Sequence, residues 1–322
     1  MMIVMALLMY MKNNERWSGS FKAMGTDVVI DIVSEELGKE EITHIMENIE
    51  VFFKKMEQIF SRFRVASELS FVNNHVGAYV QVSEEFIDVV ERAIYYHDRT
   101  GGYFDPRIYD ALIQSGYDHD FYIDKLDHKK SQNVNISHRD RQMITGDIVV
   151  NKEASMILIH QKIDLSGIVK GWVVDQARSF LRGRCEGYII DAGGDMWVEG
   201  KDVAEKSWYV GIEGLKDAQI SLCVDGEGLA TSGVTRRQWI IGDQKRHHLI
   251  DPKNEGMSAF DLSTVTVIAR SVEMADVWAK TIFLMGMDKG MQYAQDHHIK
   301  AIIIDKNNTI YATEDIQQNI VR

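Results

Sequence analysis

The residues with the clearest potential for chemistry lie in one short segment, residues 163–172, with the sequence IDLSGIVKGW. Its pattern predicts that a strand ends at Asp164 and Leu165, and that a turn containing Gly167 opens a helix carrying Lys170. Free backbone N–H groups and the helix dipole make such an N-terminus a binding site for anions. Because the dipole repels a lysine there, the presence of Lys170 indicates a negatively charged ligand. The alternative is an ordinary capped helix with a solvated lysine.

Four further loops contain residue types that suit a ligand with phosphate and aromatic parts. A stiff turn with two aromatic rings and a carboxylate is predicted at residues 102–106 (GYFDP). Residues 191–195 (DAGGD) let the backbone approach a ligand closely. Hydroxyl and N–H donors for phosphate follow at 231–233 (TSG). The paired histidines of 247–252 (HHLIDP) suit either ligand contacts or a structural turn. Together these loops predict an enzyme that handles a phosphate-bearing cofactor.

The composition excludes some classes of function. The 322 residues are 45% hydrophobic and 26% charged, an ordinary balance for a globular protein. The net charge of −12 argues against a groove for nucleic acid and against binding to an anionic membrane surface. The two cysteines, Cys185 and Cys223, are too few for a disulfide framework and are predicted to be buried, reduced thiols.

The chain opens with an apolar run at residues 1–10 (MMIVMALLMY), which is too short to span a bilayer. No lysine or arginine precedes it and no small-residue cleavage site follows, so we interpret it as neither a signal peptide nor a lipoprotein leader. A cytoplasmic location is therefore favoured. Residues 1–20 are predicted to be an N-terminal extension, with Met11 as an alternative start. Residues 21–322 contain no linker-like stretch, which favours a single domain.

Hydrophobic periodicity predicts four long helices and four strands around these loops. The helices are expected at residues 40–60, 83–100, 168–181 and 271–285, and the strands at 26–33, 156–165, 188–191 and 264–269. The strands and helices do not alternate strictly. The pattern therefore indicates an α+β fold with irregular α/β layers rather than a doubly wound parallel sheet.

A set of short motifs occurs in one order along the chain: 23–26 (AMGT), 61–63 (SRF), 67–70 (SELS), 103–106 (YFDP), 163–172, 192–195 (AGGD), 230–233 (ATSG), 247–252 (HHLIDP) and 274–276 (MAD). Each motif is short, but the ordered set is specific. It resembles the FAD:protein FMN transferases, the ApbE-type flavin transferases. The resemblance extends over about residues 21–286, most of the chain.

This resemblance implies a single-domain flavin transferase fold and an activity. The family binds FAD and cleaves its pyrophosphate with a divalent cation, normally Mg²⁺. It then attaches FMN through a phosphoester to a threonine or serine of an acceptor protein and releases AMP. The implied partners are FAD and the acceptor protein, with no nucleic acid. Two alternatives remain: a non-catalytic protein that binds or stores FAD, and a pyrophosphatase that converts FAD to FMN and AMP.

The resemblance also carries residue roles over by position. The residues implied to contact FAD are Met24, Phe63, Tyr103, Phe104, Asp105, Asp164, Lys170, Thr231, Ser232, His248, Leu249 and Ile250. The carboxylates of Asp276 and Asp164 are the implied catalytic groups. The metal site is implied at the backbone carbonyl of Gly167, at Asp276 and at position 280.

The sequence departs from the family pattern at three points. Lys280 stands where the family usually has a threonine that completes the metal site. Its ammonium group either forms an i,i+4 ion pair with Asp276, or takes the place of the cation and holds the phosphates as a point charge. Asp191 stands where an asparagine usually precedes the AGGD motif. The third departure is the missing export or lipid signal.

Overall fold

The computed structural model describes residues 15–117, 144–204, 206–214, 220–235, 238–241, 244–253, 256–257 and 261–321. The apolar run at residues 1–10, and with it the predicted nature of the N-terminus, lies outside these residues. Among the helices in the described part of the chain, none is both long and apolar enough to cross a membrane.

Eight α-helices lie in the described residues: α1 Lys39–Phe60, α2 Glu68–Asn73, α3 Glu84–Arg99, α4 Tyr109–Gln114, α5 Ile144–Asp147, α6 Ser166–Ala177, α7 Val272–Met285 and α8 Met287–Asp296. Short 3₁₀ helices span Pro106–Ile108, Arg178–Phe180 and Glu314–Asn319. Serine side chains begin α2, α3 and α7, because each accepts a hydrogen bond from a backbone N–H of the first turn.

The strands of the described residues are β1 Glu15–Ala23, β2 Thr26–Ser34, β3 Tyr79–Gln81, β4 Ile148–Asn151, β5 Met156–Ile159, β6 Gly187–Ala192, β7 Asp195–Gly200, β8 Trp208–Gly211, β9 Ser221–Val224, β10 Glu227–Gly233, β11 Gln238–Ile241, β12 Gln244–His247, β13 Ile250–Asp251, β14 Gly256–Met257, β15 Leu262–Ala269, β16 Lys300–Asp305, β17 Ile310–Ala312 and β18 Ile320–Val321. Strand β1 begins at Glu15, so residues 15–20 of the predicted extension are part of the main sheet.

An eight-stranded antiparallel sheet in the order β1-β2-β6-β7-β10-β15-β16-β17 forms the centre of the fold. Adjacent residues of its strands enter cores on opposite faces, as the two-residue period of a strand requires. Val267 packs with α7 and α8, whereas Ile268 packs with Trp208 and Leu222 of the small sheet β18-β9-β8. The main sheet therefore lies between a layer of helices and a second, smaller sheet.

The predicted elements agree with the structure except near residues 163–172. All four helices form, with ends within two residues of prediction except at α6, which ends in a 3₁₀ turn. The strand predicted at 156–165 was too long, because β5 ends at Ile159. Beyond it, the backbone N–H of Ile163 donates to the side chain of Asn73 (2.8 Å), and that of Asp164 donates to the Pro106 carbonyl (2.7 Å). These bonds take the place of a strand ladder.

The cysteines are less buried than predicted. Cys185 and Cys223 are both free thiols and both are partly exposed. Burial, together with the negative charges of Glu186 and Glu199, raises the pKa of the Cys185 thiol to about 12. At neutral pH this thiol is therefore protonated and a poor nucleophile.

Helices α6 and α7 pack against each other backbone to backbone at Gly171. A Cβ atom at this position would lie 2.7 Å from the backbone N and Cα of Glu273. The carboxylate of Asp175, one turn further along α6, accepts hydrogen bonds of 3.0 Å from the backbone N–H groups of Val272 and Glu273. Asp175 thereby caps the N-terminus of α7 and holds it at a set position along α6.

We expect Gly171→Ala to lower the free energy of unfolding by about 1–3 kcal/mol, because the added methyl group overlaps the backbone of α7. The gain in helix propensity, at most about 1 kcal/mol, does not offset this overlap. Urea denaturation followed by circular dichroism measures the change. Gly211→Ala is the matched control, since its Cβ would meet no atom within 4 Å. Equal stability of the two variants would contradict the proposed packing.

Candidate functional site

The turn that precedes α6 is built around Asp164. One oxygen of its carboxylate, Oδ1, accepts hydrogen bonds from the backbone N–H (3.0 Å) and the hydroxyl of Ser166. The helix therefore begins at Ser166, two residues earlier than predicted, and Lys170 is its fifth residue. The helix dipole acts mainly within the first turn. Its repulsion of a lysine therefore gives no reason to expect a negatively charged ligand beside Lys170.

Lys170 has a negatively charged partner inside the protein. Its ammonium group donates to the carboxylate of Asp195 and to the carbonyl of Ala192 (3.2 Å). Asp195 is 2% exposed and begins β7 immediately after the glycine turn. The negative charge that was predicted beside Lys170 is therefore supplied by a carboxylate of the chain itself.

The glycine turn at residues 193–194 brings Asp195 to Lys170. Gly193 has a φ angle of +69°, and a Cβ atom there would lie 2.0 Å from the hydroxyl oxygen of Thr26. Only glycine fits this combination of backbone angle and close approach. Asp191 accepts a hydrogen bond of 2.7 Å from the backbone N–H of Gly194. The carboxylate at 191, where the family usually has an amide, therefore closes this turn.

Helix α7 supplies a second ion pair. Asp276 and Lys280 are one turn apart on the same helix face, and the Lys280 ammonium donates to Asp276 Oδ1. Asp276 is 2% exposed, and its other oxygen, Oδ2, has no hydrogen-bond partner among the described residues. Burial and the nearby charge of Asp195 raise the pKa of Asp276, while Lys280 and Lys170 oppose the increase. The two ion pairs are thus within electrostatic range of each other.

Gly167 lies where α6, α7 and the 103–106 loop meet. A Cβ atom at Gly167 would lie 3.2 Å from Cε2 of Phe104 and 3.7 Å from Cε of Lys280. The aliphatic part of the Lys280 side chain therefore runs past the first turn of α6. The structure thus brings Gly167, Asp276 and Lys280 together.

The aromatic rings of the 103–106 loop face the site, whereas the carboxylate of Asp105 is bound by the neighbouring Arg107. Arg107 binds the carboxylate of Asp105 through Nε (2.9 Å), Nη2 (2.9 Å) and its backbone N–H (2.8 Å). Asp105 is thus a buried structural cap for the 3₁₀ helix that follows. Tyr103 holds the ammonium of Lys253 over its ring, 4.0 Å from the ring centroid.

Strand β10 and the segment 248–250 supply further residues to the same site. Thr231 shares a hydrogen bond of 2.9 Å with Thr266 on the neighbouring strand β15, and Ser232 follows it along β10. Of the two histidines, His247 is fully buried and its Nδ1 accepts from the backbone N–H of Leu249 (3.2 Å). His247 is therefore structural, whereas His248 faces the cavity described next.

These segments enclose one cavity of about 470 Å³, within the usual size of a small-molecule site. Of the residues implied by the resemblance, the structure places the following in its wall: Tyr103, Phe104, Asp105, Asp164, Gly167, Lys170, Thr231, Ser232, His248, Leu249, Ile250, Asp276 and Lys280. Residues that lie far apart in the chain therefore meet at one site.

Met24 and Phe63, which the resemblance also implied, are not among the residues that line this cavity. Met24 has a φ angle of +54°, donates its backbone N–H to Glu57 (3.0 Å) and packs against the core beside α1. Phe63 packs against Tyr117, with ring centroids 5.7 Å apart, and it is Tyr117 that lines the cavity.

Sequence reasoning missed several residues of the wall, including Tyr117, Glu213, Thr235 and Thr26. Thr26 ends the AMGT motif, but the resemblance implies no role for it. Glu213 accepts a hydrogen bond of 2.7 Å from the hydroxyl of Thr235. Neither residue belongs to a recognisable motif, and only the tertiary structure brings the two together.

Arg62 is a further charged residue that sequence reasoning overlooked. Its guanidinium packs against the rings of both Phe63 and Tyr117, 4.4 and 4.2 Å from their centroids, and its side chain is 3% exposed. Its Nε is 3.3 Å from Asp164 Oδ2, an ion pair without a directed hydrogen bond. Arg62 thus neutralises the buried carboxylate of the turn that precedes α6.

We expect Arg62→Met to lower the free energy of unfolding by about 3–5 kcal/mol, because it leaves the carboxylate of Asp164 buried without a counter-charge. Arg64→Met is the matched control: Arg64 pairs with Glu57, but its side chain is 52% exposed, so its loss costs at most about 1 kcal/mol. Urea denaturation measures both. Equal losses would show that burial of the Arg62–Asp164 pair has no energetic consequence.

Comparison with known proteins gives relatives along most of the chain. The model of the ApbE family matches residues 24–303. An FAD:protein FMN transferase of Haemophilus influenzae is 25% identical over 327 residues, which cover 97% of this chain and 93% of the relative. Another protein of that name, from Vibrio cholerae, is 26% identical over 294 residues, covering 88% of this chain and 86% of the relative.

Solved structures support the fold. The ApbE protein of Thermotoga maritima has a TM-score of 0.81 at 22% identity, covering 96% of this chain and 100% of that one. The flavinyl transferase ApbE of Pseudomonas stutzeri has a TM-score of 0.79 at 18% identity, covering 95% and 97%. These similarities confirm the α+β flavin transferase fold. Since the family model spans most of its length, this chain belongs to the ApbE family.

Proposed function

We propose that this protein is an FAD:protein FMN transferase, which moves FMN from FAD to the hydroxyl of a threonine or serine in an acceptor protein. The observation that carries the proposal is a cavity whose wall contains residues of seven of the nine ordered motifs, all except SRF and SELS. The curated relatives in Haemophilus influenzae and Vibrio cholerae carry the name of this activity.

The reaction replaces the phosphoanhydride bond of FAD with a phosphoester bond to the acceptor. The acceptor oxygen attacks the phosphorus on the FMN side of the pyrophosphate, the P–O bond to the AMP phosphate breaks, and AMP leaves. The hydroxyl proton must pass to a base. Both candidate carboxylates have a buried Oδ2 without a hydrogen-bond partner within the described structure. Asp276 suits the role of base better, because Asp164 Oδ2 lies 3.3 Å from Nε of the buried Arg62. Asp164 instead holds Ser166 and faces Arg62.

The remaining residues of the wall would bind FAD. The ammonium groups of Lys170 and Lys280 suit the phosphates, and the rings of Tyr103, Phe104 and Tyr117 suit a planar ring system. Thr231, Ser232 and the segment 248–250 offer hydroxyl and backbone groups to the rest of the molecule. Met24 and Phe63 would support the wall of the cavity rather than contact FAD directly.

The residues present do not fit the Mg²⁺ site that the resemblance implies. In the part of the chain that the structure describes, no group of three or more acidic, histidine or cysteine side chains is placed to hold a metal ion. The Lys280 ammonium already occupies Asp276 Oδ1, where a cation would bind. A positive charge at that oxygen repels a divalent ion. No step of the proposed reaction passes through a metal.

Transfer is tested by incubating the purified protein with FAD and a protein extract of the source organism. We expect a protein of the extract to gain the mass of FMN less water on one threonine or serine, with release of an equal amount of AMP. Mass spectrometry and chromatography measure the two products. AMP and free FMN without any modified protein would favour a pyrophosphatase, and bound but intact FAD would favour a storage protein.

We expect Asp276→Asn to reduce the rate of transfer about 10²–10⁴-fold, because an amide cannot accept the hydroxyl proton. Asp288→Asn, the same change on an exposed residue of α8, is the control and should leave the rate unchanged. Single-turnover transfer to the identified acceptor is the measurement, with bound FAD quantified separately. A rate for Asp276→Asn within a factor of about three of the wild type would exclude Asp276 as the base.

A further inference from the structure

We infer that the ammonium groups of Lys170 and Lys280 together bind the pyrophosphate of FAD in place of a divalent cation, so that FAD binding by this protein needs no metal. The inference rests on the proposed function, since it assumes that FAD occupies the cavity. It concerns how the negative charge of the substrate is neutralised. This question is open because Lys280 takes the place that a metal ion would have at Asp276.

The two lysines reach the cavity from different helices. Lys170 lies on α6 and Lys280 on α7, and both line the cavity. The aliphatic part of Lys280 passes the first turn of α6 at Gly167, within 3.7–3.8 Å of the position a Cβ would take there. Because α6 and α7 also touch at Gly171, the two side chains share one wall of the cavity.

In each ion pair the carboxylate lies deeper than the ammonium group. The side chains of Asp195 and Asp276 are 2% and 3% exposed, whereas those of Lys170 and Lys280 are 17% and 19% exposed. A ligand that enters the cavity therefore meets the positive groups first. The carboxylates lie behind them and fix their positions, which reduces the loss of side-chain entropy when an anion binds.

Both ammonium groups keep N–H donors for a ligand. An ammonium has three donors. Lys280 uses one for Asp276, and Lys170 uses two, for Asp195 and for the carbonyl of Ala192. Within the described structure this leaves two donors on Lys280 and one on Lys170. Three charge-assisted hydrogen bonds are thus available to phosphate oxygens.

The simpler alternative is that Asp276 and Lys280 form an ordinary ion pair that only stabilises the fold. The pair Glu50–Lys54 on α1 shows what such a contact looks like: it has the same spacing, but its side chains are 36% and 54% exposed. Burying a charge pair has a large desolvation cost that its mutual attraction often does not offset. A buried pair whose ammonium borders a cavity is therefore better explained by a ligand than by stability.

The test measures FAD affinity by isothermal titration calorimetry, in excess EDTA and in saturating Mg²⁺, without an acceptor. We expect the wild type to bind FAD with the same Kd in both conditions. Lys280→Thr should lose about 10- to 100-fold in affinity in EDTA, since it loses charge-assisted hydrogen bonds, and should recover affinity in Mg²⁺. Lys54→Thr, which removes the exposed pair of the same spacing, should bind FAD like the wild type.

A second variant covers the case in which Lys280→Thr fails to fold because Asp276 is left unpaired. Asp276→Asn with Lys280→Gln replaces the ion pair by a neutral pair of similar shape, and should also lose affinity for FAD in EDTA. Electron paramagnetic resonance with Mn²⁺ gives an independent readout. The wild type should hold no Mn²⁺ at this site, whereas Lys280→Thr should bind it.

FAD binding by the wild type only in Mg²⁺ would overturn the inference while leaving the proposed transfer intact. Unchanged affinity of both Lys280 variants in EDTA would overturn it as well. Absence of FAD binding both in EDTA and in Mg²⁺ would reject the inference and the proposed function together. Metal-independent binding without any transfer would support the inference and reject only the transferase activity.

Discussion

The contact between α6 and α7 at Gly171 is the constraint on which the site depends. With no side chain at this position, the backbones of the two helices meet, and Asp175 of α6 caps the first turn of α7. Lys170 precedes the contact on one helix, and Asp276 lies less than one turn beyond Glu273 on the other. A wider helix separation would move the two ion pairs apart and open the cavity wall between them.

The charges around the cavity follow one scheme. Four aspartates of its wall each have a basic partner: Asp105–Arg107, Asp164–Arg62, Asp195–Lys170 and Asp276–Lys280. The first two pairs are almost fully buried, and their arginines shape the loops. In the last two, the lysines face the cavity. A protein with a net charge of −12 can in this way present positive groups to an anionic ligand.

Much of the fold could be predicted from the sequence, because its signals are local. The 3.6-residue stripe predicted α1, α3 and α7 almost to the residue. The strand at 156–165 was predicted too long, since an apolar run does not reveal that Asn73 and Pro106 bind the backbone beyond Ile159. The same error delayed the predicted start of α6 and led to a dipole argument for Lys170 that the structure does not support.

The sequence by itself determined the family, the order of the loops and most residues of the cavity wall, because short motifs with fixed spacing carry that information. It left open what Lys280 does and which charge Arg62 of the SRF motif neutralises, and it offered no sign of Glu213. Only the tertiary structure decided that Lys170 pairs with Asp195, that Lys280 pairs with Asp276, and that both pairs share one wall. The physical reason is that a charge pair depends on distance and burial, and these arise from packing between elements far apart in the chain.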